Sequence, residues 1–397
     1  MRILKADYIF PINGDPIPNG YLFIEDDGTI IHTTTTAPIT NQFEIESYEG
    51  ILCPGFINTH CHLELSHLKD KIERHTKLPG FISAVQQHRN IEKSIVQKAI
   101  KDADETMQRE GIVAVGDISN GSDSFAVKSK SPVKYHTFLE VFGSDPKDSE
   151  QHFSRVVELQ KQLELHKLNS SIVPHAPYSV SEKLFKKLGE HCYVDESPIC
   201  MHNQESSSEN TMFSEGSGSL LEQLKQFSPI YSNWKGTGHR SLMSRLVLLP
   251  RCNKIALVHN TFSNEDDIDK ALKYHDYLWW CTCPNANLYI ENRLPNYKLW
   301  REKNLRICIG TDSLASNEAL SIISELKSIQ KQNPEISLQE LLVWSCFNGA
   351  SLLGLDKKLG SFDTGKKPGI NLIKNVDLKT LQLTVNSSIE VIPTIVD

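Results

Sequence analysis

Eight short, strongly apolar runs recur through the middle of the chain: ILCPGFIN, GIVAVGDI, KYHTFLEVFG, SIVPHA, PICMHN, KIALVHN, YLWWCTCP and LRICIGTD. Runs this apolar read as strands buried on both faces, the environment of a parallel sheet. The gaps hold helix-length segments at 92–109, 150–166, 181–190, 264–274 and 318–331. Parallel strands need crossovers of that size. Eight strand–helix units predict an α/β chain folded as a (β/α)8 TIM barrel over 51–359.

The two ends of the chain have a different texture. Residues 1–50 and 360–397 carry short runs of alternating polarity broken by Gly, Pro and Asn, which predicts one small composite β-sandwich domain made from both termini. The stretch 203–250, opening ESSSENTMFSEGSGS, is too long for a plain strand-to-helix connection and reads as a loop-plus-helix insertion over the barrel mouth.

Composition bounds the function. With 39% hydrophobic and 23% charged residues, the 397-residue chain can bury a large core and lies away from the disordered class. Lys and Arg total 42 against 49 acidic residues, a net charge of −7 spread along the chain, so there is no footprint for nucleic acid or an anionic membrane. No run approaches the roughly 18 apolar residues of a membrane span. The opening MRILKADYIFPINGD lacks the core of a secretory signal, so a cytoplasmic protein is expected. Nine irregularly spaced cysteines read as reduced thiols. The expected partner is a small molecule, with a homo-oligomer left open.

The chemistry sits where the apolar runs stop. His60 and His62 end the first run, His175 the fourth, His202 the fifth, His259 the sixth and Asp312 the eighth. In a barrel these strand ends converge on one mouth. His60 and His62, two apart on a strand, share a face and can bind one ion. A lone His-X-His is more often chance. Joined by His202 and Asp312 it becomes a ligand set suited to one divalent metal, Zn²⁺ first and Fe²⁺ second, with room for water or substrate. Glu205, three residues beyond His202, would by itself read as a solvated loop residue; above an ion it reads as a general acid/base. His259 is placed to hold the attacking water or the metal, and His175 to touch substrate. Asn285 and Asn287, just past the seventh run, are expected to line the mouth as substrate contacts.

Three other patterns carry less. His62-Leu63-Glu64 matches half of the small zinc nucleobase deaminase signature, but Cys281-Thr282-Cys283-Pro284 has the wrong order for the other half. Glu64 is as readily structural as substrate-contacting. The glycine-bracketed 360–367 ends in Lys where a phosphate-binding loop needs Ser or Thr, and no strand precedes it. Tyr277, Trp279 and Trp280 read as packing.

PGFINTHCHLELS, PHAPYSVS, MHNQE, LVHN, CPNANLYI and GTDS, in this order, resemble the amidohydrolase superfamily over nearly the whole chain. The His-X-X-Glu at 202–205 resembles its mononuclear deaminase branch, which includes the aminofutalosine and S-adenosylhomocysteine deaminases. The resemblance implies that His60, His62, His202 and Asp312 surround one metal and Glu205 shuttles protons. It also implies that His259 bonds the hydroxide, Asp312 takes a proton from water and His175 contacts substrate. Binuclear relatives carry a bridging lysine at the end of the fourth strand; SIVPHAPYS has none, which favours one metal. KKPGINLI departs from the family's usual return into the β-domain. The activity implied is a metal-dependent aminohydrolase that releases ammonia from an adenine-type substrate, 6-amino-6-deoxyfutalosine first. Guanine, methylthioadenosine, S-adenosylhomocysteine, and cyclic amidase or chlorohydrolase chemistry are the alternatives.

Overall fold

In the computed structural model, residues 1–37 and 44–394 are described. The eight runs are strands: Phe56–Cys61, Ile112–Ser119, Lys134–Val141 and Asn169–Pro174 form one four-stranded parallel sheet. Ile199–Asn203, Ile255–His259, Leu278–Thr282 and Arg306–Ile309 form a second, so the architecture is α/β with parallel sheets. Hydrogen bonds join the two sheets at both seams. The His202 N–H donates to the His175 carbonyl at 2.9 Å between the fourth and fifth strands. Between the eighth and the first, the Thr59 hydroxyl donates to the Ile309 carbonyl at 2.8 Å and the Asp312 N–H to that of His60 at 3.1 Å.

The first run proves to be two elements. Ile45–Pro54 belongs to the terminal sheet, Gly55 turns the chain, and Phe56–Cys61 opens the parallel sheet. Only glycine fits that splice, because a Cβ there would lie 2.3 Å from Val113 Cγ1 and 2.7 Å from the Pro368 carbonyl. The terminal strands come from both ends of the chain and lie in one seven-stranded sheet. In it Arg2–Ile9 runs parallel to Ile45–Pro54, and Ile370–Lys374 pairs antiparallel on the other side. Leu4, Ile9, Leu22, Leu52 and Leu372 form its core.

The helices between strands fall at Lys93–Arg109, Ser149–Leu165, Glu182–Asp195, Glu265–Tyr274 and Ile322–Gln332, within a few residues of their expected positions. Their starts follow from local chemistry: Ser181 accepts from the Leu184 N–H, and Asn264 and Asp267 make a reciprocal capping box. The 203–250 stretch holds three α-helices, Ser207–Glu215, Ser219–Phe227 and Ser241–Leu246, and a short 3-10 helix, Pro229–Asn233. Trp280 is fully buried against Trp300, Trp279 lies under Arg306 and Tyr277 is half exposed, in keeping with packing roles. No described helix is long and apolar enough to cross a membrane.

One buried ion pair was invisible in the sequence. Asp117, on the second strand, pairs with Lys128, and both side chains are wholly shielded from solvent. The same carboxylate accepts the Leu63 N–H at 2.8 Å, fixing the chain immediately after His62. Lys128→Met is expected to destabilise the fold by about 3–5 kcal/mol, because it strands a charge in the interior. Urea unfolding checks this, and pairing the change with Asp117→Asn should recover part of the loss.

Candidate metal centre

His60, His62, His202 and Asp312 each turn one ligand atom toward a common point, and those atoms lie within 4.8 Å of one another. The Nε2 atoms of His60 and His62 are 3.1 Å apart, and those of His62 and His202 are 3.3 Å apart. Asp312 Oδ1 stands 3.4 Å from His62 Nε2 and 3.7 Å from His60 Nε2. Lone pairs crowded this closely repel unless a cation lies among them, so the donor set fits one divalent ion. The opposite ring nitrogens support the same reading. His202 Nδ1 donates to the His175 carbonyl at 2.9 Å, and His60 Nδ1 meets Cys200 Sγ at 3.4 Å, so each Nε2 is turned inward.

Burial sets the protonation. It pushes the His62 imidazole down to about 3 and His202 well below its ordinary value, so both are neutral ligands. Burial alone would raise the Asp312 carboxyl, but the His60 hydrogen bond and the neighbouring imidazoles outweigh it and hold it below the usual carboxylate range. Its second oxygen accepts from the Ser316 hydroxyl at 2.5 Å. Asp312 and His259 both have left-handed backbone, with φ of 56° and 71°, conformations that cost energy in side-chain-bearing residues.

Glu205 is buried beside this cluster, its carboxyl pushed up to about 7 by burial and lying 3.8 Å from His259 Nε2. The turn that presents it is held by Glu209, whose carboxylate accepts the N–H groups of Gln204 at 3.0 Å and Glu205 at 3.2 Å. Sequence reading missed Glu209. Its signal was the Ser206-X-X-Glu209 capping pattern, realised as a bond from the Glu209 N–H to Ser206 Oγ. Burial lowers the basicity of His259, but the charges of Glu205 and Asp312 reverse this and its pKa is raised. His175 packs against Phe142 with ring centroids 4.4 Å apart and planes tilted by 42°, and bonds Ser179 Oγ at 2.7 Å, and burial lowers it to about 3.

These groups line a cavity of ≈ 420 Å³. Phe81, Ile82 and Val85, from the helix Lys77–His88, make one apolar wall, and Leu224 and Phe227, from the 203–250 stretch, another. That mixture of apolar walls and a few convergent polar groups is characteristic of small-molecule sites.

Residues 51–397 match the family model described as the amidohydrolase family. The chain belongs to the amidohydrolase family. It is a hydrolytic enzyme acting on C–N bonds. The adenosine deaminase of Helicobacter pylori is 24% identical over 330 residues, 81% of this chain and 78% of that protein. The crystal structure of H. pylori aminofutalosine deaminase in complex with methylthio-coformycin superposes with a TM-score of 0.83 at 22% identity, covering 98% of this chain and 97% of that one. An adenosine deaminase from Xanthomonas campestris with bound zinc gives a TM-score of 0.74 at 20% identity, covering 97% and 89%.

Six of the residues singled out from the amidohydrolase sequence, His62, His175, His202, Glu205, His259 and Asp312, line the cavity, and His60 lies directly behind them. The two asparagines are placed differently from expectation. Asn287 Oδ1 accepts from His259 Nδ1 at 2.8 Å, so this side chain orients the histidine. Asn285 turns away to Ser324 and Ser328 on the helix Ile322–Gln332, and neither asparagine lines the cavity. Their position just past a strand end is common to mouth residues and to helix anchors alike. Glu140 was not singled out at all. It stands 3.4 Å from His202 Nδ1, its carboxyl raised well above the ordinary value by burial.

The Asn285 anchor ends on Glu325, a fully buried carboxyl that accepts the Asn285 N–H at 2.8 Å and the Asn317 amide at 2.6 Å. Burial outweighs these bonds and lifts its pKa from 4.5 to about 8. A folded-state pKa above the unfolded one contributes stability that is complete below the unfolded value and lost as pH rises through the folded value. The stability of the wild-type amidohydrolase relative to Glu325→Gln is therefore expected to fall between pH 4.5 and about 8, as read by urea midpoints across that range.

Proposed function

We propose that this amidohydrolase is a mononuclear zinc-dependent deaminase that removes an exocyclic amine as ammonia from an adenine-type substrate, with 6-amino-6-deoxyfutalosine the first to test. The single observation that carries the reading is a buried carboxyl near neutrality, Glu205 at about 7, beside a cluster of three imidazoles and one carboxylate. Relatives named as adenosine and aminofutalosine deaminases, and the zinc bound by the Xanthomonas protein, support it. Closure of the two parallel sheets into a (β/α)8 barrel over 51–359, with 1–50 and 360–397 as a small sandwich, and a cytoplasmic location belong to the same reading.

In this scheme His60, His62, His202 and Asp312 hold the ion. When bound, a divalent ion supplies the Lewis acidity that makes water nucleophilic at neutral pH. Deamination by water exchanges an amino group for a hydroxyl and needs a proton at the ring nitrogen next to the attacked carbon, then another at the leaving nitrogen. Glu205, with a carboxyl that carries its proton near neutrality, delivers the first; recharged by the proton that Asp312 takes from water, it delivers the second and regains its own from the hydroxyl as the carbonyl forms. His259, aligned by Asn287, orients the nucleophile through Nε2, and Asp312 accepts the proton that water loses. His175 contacts the substrate, and the apolar walls exclude bulk water.

The test is an ammonia-release screen over aminated purine nucleosides and free bases, with elemental analysis of the same sample. The expected result is turnover of an adenine nucleoside by protein holding about one zinc per chain. Turnover confined to amides or chlorotriazines would overturn the deaminase assignment.

A further inference from the structure

The turn after the fifth strand is braced more firmly than a connection needs. Gln204, between His202 and Glu205, is wholly buried, and its φ of 46° lies in the left-handed region. His259, at the exit of the adjacent strand, is left-handed too, with a φ of 71°. Such conformations persist only where the surroundings over-determine them. Gln204 supplies that determination with its backbone and its side chain together. Its N–H donates to Glu209 at 3.0 Å, and its carbonyl accepts from the Phe262 N–H at 3.0 Å. Its side-chain oxygen accepts from the Ser263 hydroxyl at 2.5 Å, and its NH₂ donates to Asn210 Oδ1 at 2.9 Å. Asn210 belongs to the helix Ser207–Glu215, while Phe262 and Ser263 follow the strand that ends at His259. One residue thus ties together the turn that carries Glu205, the helix that follows it and the segment that leaves His259.

We propose that Gln204 is a positioning residue for the reaction, an internal brace that sets the Glu205 carboxyl against His259. Those two side chains face each other at 3.8 Å from neighbouring strand ends, too far apart for a hydrogen bond of their own. Their relative placement therefore has to come from the backbone beneath them. Asn203 and Asn260 help at the strand ends, where the Asn203 NH₂ donates to Asn260 Oδ1 at 2.8 Å. Only Gln204 reaches past that point, to Ser263 on one side and Asn210 on the other. Gln204, Ser263 and Asn210 do not line the cavity, so the brace acts through Glu205 and not by touching substrate. The proposal rests on the deaminase reading for the work that Glu205 does, while the brace itself is a matter of geometry.

The test compares the wild-type holoenzyme with Gln204→Met and Ser263→Ala, each also combined with Glu205→Gln, by ammonia release, metal content and crystal structure. Gln204→Met keeps the length of the side chain and removes both of its bonds. Ser263→Ala removes one bond and leaves the buried amide in place, which keeps a folded variant in hand if the first does not fold. Gln204→Met is expected to lower kcat by about 10²-fold, the cost of misplacing a reacting group by about 1 Å, with KM and bound zinc unchanged. Ser263→Ala should show a smaller loss of the same pattern. In the Glu205→Gln background each change should cost less than about threefold, because a brace that acts through Glu205 has nothing left to position. Losses that repeat in full in that background, a raised KM with kcat unchanged, loss of zinc, or wild-type kcat in both variants would overturn the assignment. If no aminated compound releases ammonia, the deaminase reading falls by itself, and the crystal structures still decide Gln204. A Glu205 carboxyl displaced from His259 by about 1 Å or more in either variant upholds the brace, and an unmoved carboxyl in both overturns it.

Discussion

Glu205→Gln is expected to lower the rate of ammonia release by about 10²–10⁴-fold, the range associated with loss of a positioned general acid/base. Metal content should stay at the wild-type level, because Glu205 is not one of the four clustered donors. The substitution keeps shape and burial and removes only the ability to hold and release a proton. It should also relieve the cost of burying a carboxyl whose pKa is about 7, so the folded variant should be at least as stable as wild type above that pH. The sign follows from the shift: a raised folded-state pKa means that ionisation at higher pH works against folding. Single-turnover rates, elemental analysis and urea midpoints on one preparation check all three outcomes, and retained turnover would remove Glu205 from the proton pathway.

A larger loss is expected at Asp312. Asp312→Ala removes the only carboxylate of the donor cluster and the group proposed to accept a proton from water. Altering an outer partner of a ligand costs about 10–100-fold in metal affinity, and loss of a ligand itself should exceed that, leaving protein that purifies with little metal and negligible activity. Asp312 sits at a φ of 56°, where alanine is strained, so Asp312→Asn is the companion variant: asparagine tolerates that backbone and keeps the Ser316 contact while losing the charge. If both variants retain stoichiometric metal, the proposed ligand set is wrong.

The strand ends and the donors they carry were legible in the sequence because the signal is local. A run of buried apolar residues that stops on His or Asp marks both the strand and its exit, and His60, His62, His202 and Asp312 do meet in space. What escaped detection depends on partners distant in sequence. Lys128 looks like any surface lysine until the fold sets it against Asp117, and Glu140 becomes notable only when His202 arrives beside it. Asn285 and Asn287 show the converse. Both lie just past the seventh strand, on the helix Pro284–Glu291, but side-chain direction is decided by which neighbour offers a bond, Ser324 and Ser328 for one and His259 for the other. The helix Lys77–His88, a wall of the cavity, was not foreseen because its apolar residues face a pocket and not the main core. The division of ILCPGFIN was signalled by its Pro-Gly pair, which punctuates a chain even inside an apolar stretch.

That division ties the ends of the molecule to its chemistry. A single glycine separates the strand paired with Arg2–Ile9 and Ile370–Lys374 from the strand bearing His60 and His62. Removing residues 1–50 to isolate a minimal catalytic fragment would thus unmoor the first two ligands at their root. A shorter enzyme must therefore keep this border, where the lever arm to the reaction centre is only a few residues long.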